Sequence, residues 1–411
     1  MFSMDTLFQD LDPQHKTPSW QRRLLKTLFH EKEFHRFADQ YQHLKGIDMV
    51  EQVLEQFNIR CELTERDREQ IPSYGPVVVV ANHPIGTLDG LALLHAVASV
   101  RPDVKVVANQ LLSLVSSLGS LMIPVDNMGN RTRRHQVTQM QEHLENQGVL
   151  IVFPAGEVSR LSSKGVRDGK WHTGFIRLAA KARAPVVPVH ISGSNSALFY
   201  FSSMVYRPLS TLLLVHEMFG QRGNSLTLKI GARIPFSSWH DGQMLVGDLA
   251  ARFRKHVYRL GAGKPGLFHT ESSIARAEDR AVLKHALEAS EVLGKTPDGK
   301  MIYLYRRHGE DTVPILRELG RLREIAFRAV GEGSGRRRDL DGYDDDYFHL
   351  VLWDPQALEI VGAYRFIPTA DQVASKGLNG IYSQSLFQYG HQMDPILAQG
   401  IELGRSFIQP A

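Results

Sequence analysis

The sequence predicts an α/β protein, a mostly parallel sheet flanked by helices, followed by a second α+β unit. Three observations predict it. Wholly apolar runs, "VVVV" at Val77–Val80, "VLIVF" at Val149–Phe153 and "PVVPV" at Pro185–Val189, read as strands buried on both faces. They recur about 30 to 45 residues apart with helix-length stretches between them, the spacing of parallel crossovers. After "GAGKPGLFHTE" (Gly261–Glu271) this rhythm stops. At 411 residues the chain is too long for one ordinary core. The expected division is an N-terminal helical segment at 1–60, an α/β unit at 61–262, a linker at 263–272 and a second unit at 273–411.

Residues 18 to 60 read as helical. "SWQRRLLKTLFHEKEFHRFADQY" sets Trp20, Leu24, Leu25, Leu28 and Phe29 at helical spacing, with Arg22, Arg23 and Lys26 between them. Such a basic amphipathic stretch lies on a bilayer surface or packs between domains with a solvated basic face. From Pro76 strands and helices alternate: strand "GPVVVVAN", helix "DGLALLHAVASV", strand "VKVVAN", and helix "RTRRHQVTQMQEHLENQG" closed by Gly148. Strand "VLIVFPAG", helix "WHTGFIRLAAKARA" and strand "PVVPVHISG" follow. "NSLTLKIGARIPF" reads as an edge strand before the helix "DGQMLVGDLAARFRKHVYRL". In the second unit "MIYLYRR" is a strand and "VPILRELGRLREIAFRAVG" a long helix. "YFHLVLWD" and "EIVGAYRFI" form a hairpin-like pair, and "QGIELGRSFIQPA" is the last strand-like feature.

Composition narrows the class. Hydrophobic content of 43% and charged content of 22% are those of a soluble globular protein. A net charge of +4 suits an anionic membrane surface or an acidic carrier and is too small to imply nucleic acid. Cys61, the single cysteine, excludes an internal disulfide framework and fits a reducing cytoplasm. The N-terminus lacks a basic region followed by an apolar run, so no signal peptide is read. "VVANQLLSLVSSLGSLMIPV" (Val106–Val125) is interrupted by Ser, Gly and Asn, which makes it core and membrane contact peripheral, at the inner face of the cell membrane.

The chemistry concentrates at "VVVVANHPIGTLDG". A strand delivers His83 to a loop at its C-terminal end, where sites in open α/β sheets collect. Asp89 then opens a helix, close enough to bond the imidazole. A carboxylate that fixes a histidine's tautomer makes a general base. No Ser or Cys stands between them, so the nucleophile is the substrate's own hydroxyl or amine; no G-x-S-x-G occurs. A His–Asp loop also occurs as purely structural. No H-E-x-x-H or paired-cysteine spacing supports a metal.

Further pieces sit on later strand ends. "VFPAGEVSR" (Val152–Arg160) and "PVVPVHISG", with "NHPIGTLDG", resemble the three blocks of the glycerolipid acyltransferase family, the lysophosphatidic-acid type, over Val77 to Pro235. Two departures stand out. Five residues separate His83 from Asp89 where the family has four, and Ala155 replaces the family glutamate, with Glu157 two positions on. Both resemble a subgroup, the haemolysin-like or bifunctional ornithine-lipid acyltransferases. The family's arginine block is matched only loosely, leaving Arg131, Arg133 and Arg134 open.

The resemblance implies transfer of a fatty acyl chain from acyl carrier protein, or coenzyme A, to the hydroxyl of a lyso-lipid, first of all lyso-ornithine lipid. No other cofactor is implied. His83 would be the base and Asp89 its partner, with N–H groups around Gly86 at the oxyanion. Asn82, Gly86, Phe153, Pro154, Gly156, Glu157, Ser159 and Arg160 would meet substrate. Glu157 beside an amine and Arg160 beside a carboxylate would suit an aminolipid, and a plain Glu157–Arg160 salt bridge is the other reading. "NSALFYFSSMVYRPLSTLLLVHEMF" (Asn195–Phe219) holds the acyl chain or is core.

The second unit resembles the first half of a GNAT-fold N-acyltransferase of the ornithine-lipid and acyl-homoserine-lactone type. The match rests on Arg323, Phe327, Arg328, Asp341, Tyr343, Asp344, His349, Gly362, Arg365, Glu402 and Arg405. Of these, Arg328, Asp341, Asp344, Arg365, Glu402 and Arg405 are the candidate site residues, and the acidic "DLDGYDDDY" would suit a cationic amino acid or be a solvated loop. The resemblance covers part of that fold, so this domain is expected to be incomplete. The competing readings are a 1-acylglycerol-3-phosphate O-acyltransferase and a degenerate membrane- or carrier-binding protein.

Overall fold

Five consecutive β-branched or small residues, Val77–Ala81, are all buried and form the central strand of a seven-stranded sheet. The computed structural model describes residues 31–109, 116–125, 134–162, 165–196, 199–200, 217–240, 242 and 244–409. The chain divides into two units, Met1–Glu271 and Ser272–Ala411.

The first unit runs α1 (Glu31–Gln40), α2 (Ile47–Gln56), β1 (Arg60–Glu62), α3 (Glu65–Arg68), β2 (Val77–Ala81), α4 (Thr87–Ala98), β3 (Val104–Asn109) and β4 (Met122–Val125). It continues with α5 (Arg134–Glu145), β5 (Val149–Val152), β6 (Arg160–Ser162), β7 (Gly165–Arg167), α6 (Gly174–Lys181), β8 (Val186–Ser192), β9 (Ser225–Ile230) and α7 (Val246–Gly261). The sheet order is β1-β9-β8-β2-β5-β3-β4. The last five of these strands are mutually parallel, β9 is antiparallel to β8, and β1 is parallel to β9.

The period of two along β2 sends its valines to two different cores. Val77, Val79 and Ala81 pack with Met49, Val50 and Leu54 of α2 and Leu91, Leu94 and Val97 of α4. Val78 and Val80 pack with Leu144 of α5, Phe175 and Ala179 of α6, and Phe253 and Val257 of α7. Each fully buried valine contributes about 1.5–3 kcal/mol, so sheet position is fixed from both sides.

Several expectations change. The strand expected at the edge, β9, is covered by β1. β4 lies inside the long apolar stretch, whose interruptions hide it. α5 is closed by Gln147, which takes the left-handed conformation (φ 64), one residue before Gly148. Gly148 is needed for space, since a Cβ there would lie 2.5 Å from the His143 ring. The expected linker is packed: the Phe268 ring stacks on Phe253 at 4.4 Å, and Glu271 pairs with Arg233 at 2.5 Å. The amphipathic stretch around Trp20–Phe29, Arg131 and Arg133, and most of Asn195–Phe219 lie outside the described residues.

The second unit runs α8 (Arg280–Glu288), β10 (Glu291–Lys295), β11 (Met301–Tyr305), α9 (Val313–Ala329), β12 (Phe348–Asp354), β13 (Glu359–Pro368), α10 (Thr369–Lys376), α11 (Asp394–Leu397) and β14 (Ile401–Ile408). Its five strands form an antiparallel sheet in chain order. Leu283 and Leu287 of α8 and Ile315, Leu319 and Leu322 of α9 cover Tyr303, Tyr305, Val351 and Trp353. The fold class is the one expected, α/β followed by α+β.

Candidate active site

The parallel strands set the site because their C-terminal ends coincide: Val80 lies opposite Val152 of β5 and Pro188 of β8. Asn82 extends that register past the strand. Its Nδ2 donates to the Ile191 carbonyl at 2.9 Å, and its Oδ1 accepts from the Ile191 N–H at 2.8 Å. Asn82 is therefore a buried clamp between β2 and β8.

His83 leaves this clamp at the rim. Its Nδ1 lies 3.2 Å from Asp89 Oδ2, at ion-pair distance but without hydrogen-bond alignment. The imidazole is 19% exposed and the carboxylate 0%. Nε2 bonds to no described residue. The Phe153 ring lies 4.3 Å from the imidazole, fixing one of its faces. Asp89 is the third residue of α4, where the helix dipole favours an anion. Its Oδ2 also accepts from the N–H groups of Ile85 at 2.8 Å and Gly86 at 3.1 Å. That corrects one expectation: the Gly86 N–H is committed to Asp89 and is not free for an oxyanion. The loop closes this tightly because Gly86 adopts φ 124, ψ −130, a conformation open to glycine.

Sequence reading missed the hub beneath the loop. Asp168, 5% exposed, accepts from the His83 N–H at 3.2 Å, the Ser159 hydroxyl at 2.5 Å and the Trp171 indole at 2.8 Å. Burial pushes its carboxyl up from the ordinary range. The Ser159 N–H donates to the His83 carbonyl at 2.7 Å, so Ser159 is committed on both sides and does not face the opening. Asn195 holds the other flank, donating to the carbonyls of Pro84 at 3.3 Å and Ile85 at 3.1 Å.

In the second block Pro154 is buried and Gly156 lies in an exposed turn. Arg160 donates to Glu157 Oε2 from Nε at 3.1 Å and Nη2 at 2.9 Å, the loop salt bridge foreseen as the simpler reading. Arg160 Nη1 is buried without a partner. From the aromatic stretch, Phe199 and Tyr200 are buried against Val158. No group of metal-ligating side chains occurs among the described residues.

In the second unit the acidic segment is neutralised from within. Arg323 donates to Asp344 at 2.7 Å and meets His349 Nδ1 at 3.1 Å. Arg365 bridges Asp341 at 2.6 Å and Asp344 at 3.0 Å, and Arg405 reaches Asp339 at 3.1 Å and Asp341 at 3.4 Å. Asp345 pairs with Arg307 and Asp346 with Lys376. The acidic segment thus meets cations of its own unit at Asp339, Asp341, Asp344, Asp345 and Asp346. Arg328 is apart from this group and binds the buried Glu324. Glu402 accepts from Tyr347, Ser383 and the Tyr382 N–H. Burial pushes His349 down to about 3, which keeps it neutral between these ions.

Comparison with known proteins accords with the two units. Residues 12–261 match the acyltransferase family, and residues 322–411 match the acetyltransferase (GNAT) domain. A lyso-glycine lipid O-acyltransferase of Bacteroides thetaiotaomicron is 29% identical over 57% of this chain and 88% of that protein. A glycine N(alpha)-acyltransferase of Phocaeicola vulgatus is 39% identical over 24% of this chain and 32% of that protein, so the chain spans about a third of its length. Among solved structures, the 1-acyl-sn-glycerophosphate (LPA) acyltransferase of Thermotoga maritima is 18% identical over 58% of this chain and 95% of that one, with a TM-score of 0.36. The first match covers more than half of the sequence, so the chain belongs to the acyltransferase family.

Proposed function

We propose that the first unit transfers a fatty acyl group from a thioester donor to the hydroxyl of a lyso-aminolipid, with His83 as general base. One observation carries the reading: a rim imidazole whose Nδ1 lies beside a fully buried carboxylate and whose Nε2 bonds to no described residue. Nε2 takes the hydroxyl proton as the oxygen attacks the thioester carbonyl. The tetrahedral intermediate expels the thiolate, which takes the proton back from Nε2. Asp89 stabilises the imidazolium between these steps, as a buried carboxylate does for any such base.

The donor is acyl carrier protein, with acyl coenzyme A as the alternative. The chain works at the inner face of the membrane as a peripheral protein, in keeping with described helices none of which is long and apolar enough to cross a bilayer. The acceptor class is supported by the names of two relatives that this chain matches, one a lyso-glycine lipid O-acyltransferase and one a glycine N(alpha)-acyltransferase. N-acylation of an amino acid yields the amide-linked lipid whose hydroxyl the first unit would acylate. The second unit is the companion N-acyltransferase in this reading. Arg160, with an unpartnered buried Nη1, receives the acceptor carboxylate, and Glu157 receives an amine where the head group has one, as in lyso-ornithine lipid.

The test is acyl transfer to lyso-glycine lipid, lyso-ornithine lipid and lysophosphatidate by the whole chain. Both aminolipids are expected to exceed lysophosphatidate at least tenfold in kcat/KM, and preference for lysophosphatidate would overturn the acceptor class. Glu157→Gln is expected to lower lyso-ornithine turnover about tenfold relative to lyso-glycine, about 1.4 kcal/mol. An unchanged ratio would leave Glu157 as the partner of Arg160 alone.

A further inference from the structure

Charge is distributed unequally over the two helical layers of the first unit. On one layer α2 carries Asp48, Glu51 and Glu55 and no Lys or Arg. On the other, Arg167–Arg183 and Val246–Lys264 hold ten Lys or Arg and two acids, in a chain whose net charge is only +4. One is Asp168, which is buried under the His83 loop and contributes nothing to the surface, and the other is Asp248, exposed in the first turn of α7.

These two segments form one face. Phe175 of α6 meets Phe253 of α7 with ring centroids 5.4 Å apart, and Arg254 donates to the Asp168 carbonyl at 3.2 Å. The cations are oriented by neutral groups: Arg252 donates to the Leu267 carbonyl and Arg259 to that of Pro265. Lys170, Arg177, Lys181, Arg252, Lys255 and Lys264 are exposed, and none of the six forms an ion pair with a described carboxylate. The face also begins at the site, because the residue that accepts the His83 N–H is the one whose carbonyl holds Arg254.

We infer that this α6–α7 face docks an acidic carrier protein bearing the acyl thioester and aims its prosthetic arm at His83. The inference deepens the proposed function and rests on it for the identity of the cargo. Arginine- and lysine-rich rims with few acids accelerate encounter with an acidic surface and suppress like-charged competitors. A bilayer suits the face less well. Interfacial segments carry exposed apolar side chains interleaved with their cations, whereas the large exposed hydrophobic residues here, Leu245 and Val246, are confined to the start of α7, away from its cations.

The experiment uses the full chain carrying Arg177→Glu, Lys181→Glu and Lys255→Glu, side chains that lie outside the catalytic pair. Three readouts are compared with wild type: kcat/KM with an acyl carrier thioester, kcat/KM with the corresponding acyl-pantetheine, and the Kd of the holo-carrier by titration. The carrier value is expected to fall at least tenfold and lose most of its salt dependence, and the Kd to weaken at least tenfold. The pantetheine value should stay within twofold. Unchanged carrier turnover and Kd would overturn the inference, as would an equal fall with both donors. So would lost binding to phosphatidylglycerol vesicles with carrier turnover retained, which would assign the face to the membrane. If neither donor supports turnover in wild type, the reaction itself fails, and the holo-carrier Kd then decides the docking face separately.

Discussion

The His83 loop of the first unit and the Arg323–Asp344–Arg365 cluster of the second invite comparison, because both are charge networks that include a histidine. The loop holds few ionisable groups, sets Nδ1 beside Asp89 and leaves Nε2 bonded to no described residue. The cluster holds more charge, yet its Asp341 and Asp344 carboxylates are each met by arginine and His349 is wedged neutral among them. Charge density by itself therefore does not mark a reactive group. A reactive group needs an uncommitted atom facing substrate, whereas the unpartnered atoms of the cluster, Arg323 Nε and Arg365 Nε and Nη2, are buried within it.

The two regions should fail differently when broken. Asp89→Asn is expected to reduce acyl transfer about 10²- to 10⁴-fold, by removing the negative charge that stabilises imidazolium. The change reads out in kcat, and a loss confined to KM would move Asp89 from catalysis to loop structure. Asp344→Asn should leave first-unit transfer near wild type and destabilise the second unit by about 3–5 kcal/mol, because Arg323 and Arg365 lose their shared buried anion. Chemical denaturation followed by Trp353 fluorescence, with the other tryptophans replaced, reads this. A loss under about 1 kcal/mol would mean that the cluster is not a stabilising network.

Acid should expose a smaller difference. Burial holds His190 and His256 down to about 4 and His349 to about 3, all below the ordinary 6.5. Above pH 6.5 these rings are neutral in both folded and unfolded chains. As pH falls from 6.5 toward 4, the unfolded chain takes up protons that the folded one refuses, so stability is lost across that window. Each ring accounts for up to about 3 kcal/mol. His256→Gln, which can still accept the Leu267 N–H now bonded at 3.0 Å, should flatten the first unit's loss between pH 7 and 5 and leave the second unit's intact. Equal flattening in both units, measured by calorimetry, would contradict the assignment.

How much of this was legible depended on whether a feature was local. The central strands and the long helix of the second unit announce themselves through period and composition. The His83–Asp89 approach is readable because a six-residue separation across a Pro–Gly turn constrains both side chains. Asp168 is not readable. It sits in "VRDGKW", which looks like a polar surface turn, and its burial depends on His83, Ser159 and Trp171 arriving from separate segments. Asn195 is hidden for the same reason, since its partners lie 110 residues or more away. The partners of "DLDGYDDDY" are hidden in the same way. The arginines that neutralise it come from α9, β13 and β14, and nothing in the stretch itself records them.

Removal of the base is the most direct test of the account. With an acyl carrier thioester and a lyso-aminolipid as substrates, His83→Gln is predicted to lower kcat by at least about a thousandfold while the melting temperature stays within a few degrees. Transfer within threefold of wild type by a well-folded His83→Gln chain would contradict it, because the proton would then be leaving the hydroxyl by another route.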